Sequence, residues 1–438
     1  MVYKTLIETD NLVLERLRAF RLDGEPIICR RFGGGHINDT YLVVDDTARA
    51  YILQKINRGV FRDPLSVMRN IAAVTSYLAR VAEDPRGVLE LVPARERNAA
   101  EASGPDETAR AEAGSRVTNA GSKSGADDGN RATTASANSR AEAGSRATTA
   151  SANAGADDGS SEPLWIVDGD GEYWRMYSFI SDSVCYQHTR SGELLRESGA
   201  AFGAFQRSLA EFPARELCET IPRFHDTPNR YAAFKAALDS DAHGRAKYVG
   251  REIDFILERE EYAGVLMSRR AEGALPLRVT HNDTKLNNVL FDRRTKKSLC
   301  VIDLDTVMPG LSVLDFGDSI RFGASTAAED ERDLDKVSFS QPLFEAYAEG
   351  FLSVCGESLT ECEIDSLCDG AAVITLENGV RFLTDYLSGD VYYRVSYDGH
   401  NLDRCRTQLK LVACMESRRD AMQSAIARIA SRASLAYK

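Results

Sequence analysis

Residues 279–292 read VTHNDTKLNNVLFD: an apolar entry runs into His281, Asn282 and Asp283, and Asn288 stands five positions after the aspartate. Alone, a His-x-Asp is most often a satisfied buried polar pair. Phosphoryl transfer from ATP gives the spacing another meaning. It needs an acceptor for the proton of the attacking hydroxyl and two oxygen ligands for magnesium. In the kinase loop H-R-D-x-x-x-x-N the proton acceptor precedes the metal-binding Asn by five. Asp283 and Asn288 reproduce that interval, with Asn282 in place of the Arg. A second metal carboxylate is expected after a strand further on. CVIDLDT supplies Asp303, twenty residues beyond Asp283, with Asp305 as a nearby second candidate. Lys285 is placed to screen charge on the moving phosphoryl. A literal Asp315-Phe316-Gly317 comes thirty-two residues after Asp283 without a strand-like run directly before it. The metal role therefore goes to Asp303, and Asp315 reads as a structural residue holding the catalytic loop.

Elements must position these groups. IICRRFGGGHINDTYLVV reads as strand, glycine turn and strand, and AYILQKIN as a third strand. Such glycine runs are commonly plain turns. Ahead of a third strand, Gly33, Gly34 and Gly35 become candidates to cover nucleotide phosphates with backbone N–H groups. His36 is not needed by a phosphate loop and points to substrate. DPLSVMRNIAAVTSYLARV has helical periodicity, with Asp63 as N-cap and Pro64 at the first position. LELVPA, LWIVD and EYWRMYSFI read as further strands, the last two joined at GDG. From about Ser183 the pattern turns helical, with segments near 192–212, 248–272, 341–353, 361–387 and 403–433. The fold class is thus α+β: a two-lobed, protein-kinase-like chain with a small antiparallel-sheet N-lobe (1–182) and a mainly helical C-lobe (183–438). Lys55 is the candidate phosphate-binding lysine of the third strand, with Gln54 taking that place if the register shifts by one. The following helix has no glutamate between Arg62 and Ala82, and no A-P-E segment follows Asp303. A protein kinase is thereby disfavoured.

Residues 98–161 stand apart: small and polar, with RAEAGSR, ATTASAN and GADDG each occurring twice. Such a segment buries too little apolar surface to offset its ordering entropy, so a disordered insertion is expected. Placed between strands, it should cost little in loop closure. The whole chain of 438 residues is 43% hydrophobic, enough for a large core outside that segment. A formal charge of −12 argues against a nucleic-acid partner. No apolar run approaches membrane-spanning length. Nine scattered cysteines without a C-x-x-C suggest a reduced, cytoplasmic protein.

THNDTKLNNVLFD, CVIDLDTVMPGLSVLDFGDSIRFGA and FGGGHINDTY together resemble N-acetylhexosamine 1-kinases, within the aminoglycoside phosphotransferase and choline-kinase-like superfamily. The likeness covers nearly all the chain except the insertion, which departs from the family pattern. It implies magnesium- and ATP-dependent phosphorylation of the anomeric hydroxyl of N-acetylglucosamine or N-acetylgalactosamine. Asp283 would be the base, with Asn288 and Asp303 on Mg2+. His36, Arg381 and Tyr392 would contact the sugar, and the adenine would dock near residues 175–180. Without the resemblance, Arg381 reads as a surface charge and Tyr392 as packing. The expected partners are one small sugar and ATP, with no nucleic acid or membrane, and a monomer is expected. The rival readings are a kinase of the same superfamily acting on homoserine, choline, methylthioribose or an aminoglycoside, and a non-catalytic pseudokinase.

Overall fold

The computed structural model describes residues 11–33, 37–95 and 162–436. The expected disorder of 98–161 and the glycine-loop residues Gly34, Gly35 and His36 therefore lie outside the described residues. Helix α1 (Asn11–Arg18) comes first, followed by strands β1 (Pro26–Arg31), β2 (Asp39–Asp45) and β3 (Ala50–Lys55). Helix α2 (Pro64–Val81) comes next, then β4 (Trp165–Val167) and β5 (Tyr173–Ser178). These strands form one antiparallel sheet in the order β1-β2-β3-β5-β4. One face carries Tyr41, Val43, Tyr51, Leu53, Trp174 and Met176 against Leu17 of α1 and Phe20. The other face carries Ile52 and Tyr177 toward Val67, Met68, Ile71 and Val74 of α2, and that cluster continues into Val279, Leu304 and Val307. One hydrophobic core thus ties sheet and helix to the segment holding the predicted metal residue.

Asp63 caps α2, accepting from the Ser66 N–H, with Pro64 in the first turn. LELVPA does not form a full strand. Its Leu91 makes an isolated bridge to Tyr177, because β4 already occupies the rest of that edge of β5.

Beyond residue 183 the chain is mainly helical. The principal helices are α3 (Gly192–Ser208), α4 (Thr227–Ser240), α5 (Ser312–Gly323), α6 (Gln341–Cys355), α7 (Leu367–Leu387), α8 (His400–Glu416) and α9 (Arg419–Ala436). The expected helix at 248–272 is three short ones, Gly250–Leu257, Glu260–Ala263 and Val265–Ala271, the last two divided at Gly264. The expected 361–387 helix begins as Glu361–Asp365, with a Thr360–Glu363 capping box, and restarts after Ser366. The 403–433 pattern likewise divides into α8 and α9. The sequence pattern missed α4 because only Thr227, Tyr231 and Phe234 of it are buried, too few for a clear stripe. It also missed α5, which is buried along most of its length and so shows no polar face to reveal a helical period. Strand β6 (Ser183–Val184) precedes α3. Between α4 and α5 lie β7 (Arg278–Thr280), the hairpin β8 (Val289–Asp292) and β9 (Ser298–Val301), whose β8 pairs with β6, and β10 (Met308–Gly310), which pairs with β7. Among the described residues no helix is long and apolar enough to cross a membrane.

Candidate active site

The segment from His281 to Asp303 starts at the end of β7 and returns through the β8–β9 hairpin. The main chain closes it: the Ile302 N–H donates to the Asn288 carbonyl, 2.9 Å away. His281, fully buried, bridges both sides of this closure. Its Nδ1 accepts from the Asp283 N–H at 3.3 Å, so Nε2 carries the proton and donates to the Ile302 carbonyl at 2.9 Å. Its ring meets Phe202 and Phe205 of α3 edge-on. The predicted base and the predicted metal carboxylate are therefore fixed relative to each other by one imidazole.

Helix α5 supports the loop from beneath. Asp315 accepts from the backbone N–H groups of His281 and Asn282, both at 2.7 Å, and from Gln206 Nε2 at 2.9 Å. The Thr284 hydroxyl donates to the Asp315 carbonyl, and the Ser319 hydroxyl donates to the Thr284 carbonyl at 2.6 Å. The structure thus gives Asp315 the holding position that the sequence suggested for it. Gly317, the glycine of the same tripeptide, lies where α5 crosses α7. A Cβ there would strike the Gly370 carbonyl.

Two non-glycine residues in the site have left-handed backbones, Asn282 (φ 62°) and Asp303 (φ 64°). Asparagine and aspartate tolerate that region better than most side chains. Asn282 also ties its loop to the next, donating from Nδ2 to the Thr306 carbonyl at 2.9 Å. This accounts for an asparagine where protein kinases have arginine.

The electrostatics divide the carboxylates. The Asp283 carboxylate is 26% exposed and pairs with Lys285 Nζ at 2.7 Å. Burial pushes its pKa up, but Lys285, with a smaller contribution from Arg321, outweighs that and holds it below the usual carboxylate range. Asn288 Nδ2 donates to the Asp283 carbonyl at 2.8 Å and to its Oδ2 at 3.2 Å, which leaves Asn288 Oδ1 as an acceptor. Asp303 behaves oppositely. Although its side chain opens to solvent, protein hems it in on its other sides. That burial, then Asp305 and Asp283, raise its pKa to about 6.

Asp305, the second metal candidate, is buried and engaged. It forms an ion pair with Arg175 of β5 and accepts from Asn38 Nδ2. Arg175, itself buried, also donates from Nε and Nη2 to Gln54 Oε1 at 3.0 and 2.8 Å. Sequence reasoning missed Arg175, which no motif marks. Gln54 and Lys55 alternate across β3: Gln54 joins the Arg175–Asp305 group, whereas Lys55 pairs with Asp39 at 3.5 Å. Lys55 is thus not brought together with Asp283 or Asp303, and Gly33, with φ 77°, is the described residue of the glycine triplet.

On the opposite side, His225 bridges the Asn282 carbonyl (3.3 Å) and Glu377 of α7 (2.9 Å). One turn beyond Glu377 stands Arg381, its guanidinium over Phe224 and Tyr393, and Tyr392 meets Tyr393 edge-on. Arg230 lies close by, donating to the Phe224 carbonyl, with its pKa lowered by burial and by Arg381. Arg381 and Tyr392 thus share one neighbourhood, linked to the catalytic loop through His225. Tyr392 itself is 61% exposed.

An oxygen-rich site for a divalent cation fits these residues. Asp305 and Asp283 add negative field at Asp303, and Asn288 Oδ1 and Asp303 offer two hard oxygen donors. Among the described residues no cluster of three or more His, Cys, Asp or Glu could hold a metal. A cation bound there would complete its shell from phosphate oxygens and water, as magnesium commonly does.

Residues 141–349 match the phosphotransferase enzyme family. This span is a little under half of the chain and includes Asp283, Asn288, Asp303 and Asp315. Among solved structures, an aminoglycoside phosphotransferase from Alicyclobacillus acidocaldarius aligns with 95% of this chain and 96% of its own at 11% identity and a TM-score of 0.53. An amicoumacin kinase, solved with AMP-PNP, Ca2+ and Ami, aligns with 92% and 93% at 11% identity and a TM-score of 0.51. These likenesses show the fold: an antiparallel-sheet N-terminal region on a helical C-terminal region, as expected from sequence.

Proposed function

We propose that the protein is an ATP- and magnesium-dependent small-molecule kinase that phosphorylates the anomeric hydroxyl of an N-acetylhexosamine. The observation that carries the phosphotransfer reading is a carboxylate, Asp283, kept ionised by Lys285 and locked by His281 and Asn288 beside a second, cation-seeking carboxylate, Asp303. In this reading residues 1–182 form the nucleotide lobe, and 183–438 form the catalytic and acceptor lobe. Asn288 and Asp303 hold Mg2+, which when bound neutralises charge on the transferring phosphates. Gly33, Gly34 and Gly35 cover those phosphates, while Lys55, paired with Asp39 on the other sheet face, is left out of that role. The backbone of 175–178 is already laddered with β3 and with Leu91 or β4, so main-chain contacts to adenine fall just beyond it.

Asp283 accepts the proton from the attacking hydroxyl. Held below the usual carboxylate range it is a weak base, which suits a loose transition state that makes little demand on the nucleophile. An anomeric hydroxyl, acidified by the ring oxygen, suits it further. Positioning and charge stabilisation supply most of the rate. Lys285 stands ready to shift from Asp283 toward the phosphoryl oxygens.

The acceptor class rests on the motif resemblance and on one electrostatic point. Arg381 and Arg230 converge where the acceptor enters, and paired guanidiniums disfavour a cationic amine such as choline or an aminoglycoside. They suit a neutral sugar whose acetamido oxygen accepts hydrogen bonds from Arg381 and Tyr392, with His36 on a ring hydroxyl. The nine thiols, none in a disulfide, support a reducing, cytoplasmic setting, and nothing in the site calls for a second copy. The test is transfer from labelled ATP to each free N-acetylhexosamine, alongside choline, homoserine and an aminoglycoside, with the phosphate located on the product. Transfer to one of the amines but to neither sugar would overturn the acceptor assignment. No transfer to any acceptor, with nucleotide still bound, would favour the pseudokinase.

A further inference from the structure

We infer that Asp305 is a positioning residue rather than a metal ligand: it fastens the segment leaving the glycine loop to the metal loop and so sets how well nucleotide phosphates are held. The inference rests on the phosphotransfer reading for its consequence, but its geometry stands independently. One carboxylate receives Arg175 from β5 and Asn38 from the residues just after the glycines. Asn38 carries the tie onward, its Oδ1 accepting from the Asn57 N–H at 2.9 Å, while Asn57 Nδ2 donates to the Ile37 carbonyl at 3.0 Å. Arg175 carries it into the sheet through Gln54. Two residues earlier, Asp303 makes no such bond among the described residues and is exposed. The two aspartates of Asp-Leu-Asp thus have divided tasks, one open toward a cation and one committed to protein.

This network occupies the place where a protein kinase joins a strand lysine to a helix glutamate. Helix α2 has no glutamate, and Lys55 is turned to the other sheet face. What α2 offers instead is Asn70, which donates to the Val307 carbonyl at 2.9 Å. Helix, sheet and glycine-loop exit therefore all converge on residues 305–307. Each oxygen of this buried carboxylate is already engaged by protein, one by a guanidinium and one by an amide, which turns the group away from a cation.

Arg175→Met would strand a buried carboxylate and is expected to unfold the protein, so Asn38→Ala and Asp305→Asn carry the test. In the nucleotide-free protein, Asp305→Asn should speed hydrogen exchange at Asn57 and at the start of β2, far from it in sequence. In both variants the affinity for a fluorescent ADP with Mg2+ should fall about tenfold, with the acceptor KM unchanged. Their combined effect should be smaller than the product of the single effects. Mn2+ affinity at saturating ADP should survive in Asp305→Asn and be lost in Asp303→Asn. Loss of Mn2+ binding in Asp305→Asn to the same extent would overturn the inference, as would unchanged exchange together with unchanged ADP affinity. A wild-type protein that binds no ADP would sink the phosphotransfer reading instead, and the exchange result alone would then decide whether the tie exists.

Discussion

Two polar segments meet at the cleft, and they are held in different ways. The catalytic segment, 280–306, is gripped from several sides: Asp315 and Ser319 of α5 from below, His225 from α4's entry, and His281 and Thr306 within the loop. The segment proposed to face the acceptor, 388–399, is tied through two aspartates, Asp385 and Asp390, the latter paired with Arg245 and accepting from Asn401. Asp385 accepts from the backbone N–H groups of Val391, Tyr392 and Tyr393 at 2.8–2.9 Å and from Asn401 Nδ2. Val391 and Tyr392 stay exposed at 79% and 61%. The first arrangement fixes a reaction geometry, whereas the second leaves a surface that can differ without disturbing the chemistry.

The sharpest break in this contrast is Asp283→Asn. Turnover should fall by about a thousandfold or more, with ADP affinity and thermal midpoint close to wild type. Steady-state rates beside fluorescent-ADP titration check it, and retained turnover would remove Asp283 from the mechanism. Next in size is Asp315→Ala, which strands two buried N–H groups under the loop. Stability should drop by about 3 kcal/mol, and kcat on the order of a hundredfold through misplacement of Asp283. Chemical denaturation and initial rates measure the two effects separately.

A third prediction concerns pH. Asp303 has an ordinary pKa of 3.8, raised to about 6 in the metal-free fold by burial, Asp305 and Asp283. The folded state then binds the proton more tightly than the unfolded chain. Metal-free stability is accordingly favoured at low pH and declines as pH rises from near 4 to about 6. Cation binding must displace that proton, so apparent Mg2+ or Mn2+ affinity should weaken by up to about tenfold per pH unit below 6. Metal-induced shifts in melting temperature at pH 5 and pH 7 give the comparison. Equal shifts at both would contradict it.

The same contrast explains what the sequence made legible. Asp283, Asn288 and Asp303 could be read because a chain that must bring three oxygens together on one loop and hairpin leaves fixed intervals. Asp315 could be read only as a suspicion, since its task depends on α5 lying beneath the loop. Arg175 and Asn38 could not be read: they act on Asp305 across 130 and 267 residues, and no local pattern records such a meeting. Arg381 was misleading in isolation. On an amphipathic pattern it looks like a solvated charge, yet it lies over Phe224 and Tyr393 with Arg230 nearby. The α7 helix is buried on nearly every side, so the usual rule that a charge marks the wet face fails there.

The smallest expected effects lie on the acceptor side, and they separate the two regions most cleanly. Asp385→Ala would free the N–H groups of Val391, Tyr392 and Tyr393 while leaving every bond to residues 281–305 in place. Because those N–H groups can turn to water, the loss of stability should be modest, about 1 kcal/mol. What should change is the acceptor KM, rising about tenfold as Tyr392 and Arg381 lose their registration, with nucleotide KM unchanged and kcat at saturating acceptor within about twofold. In the proposed reading Arg381→Met should act in the same direction, since its guanidinium, held over Phe224 and Tyr393, would be a binding group. If Asp385→Ala lowered kcat as severely as Asp315→Ala, the two segments would be one mechanical unit. Selectivity among acceptors would then be built into the catalytic loop itself rather than hung beside it.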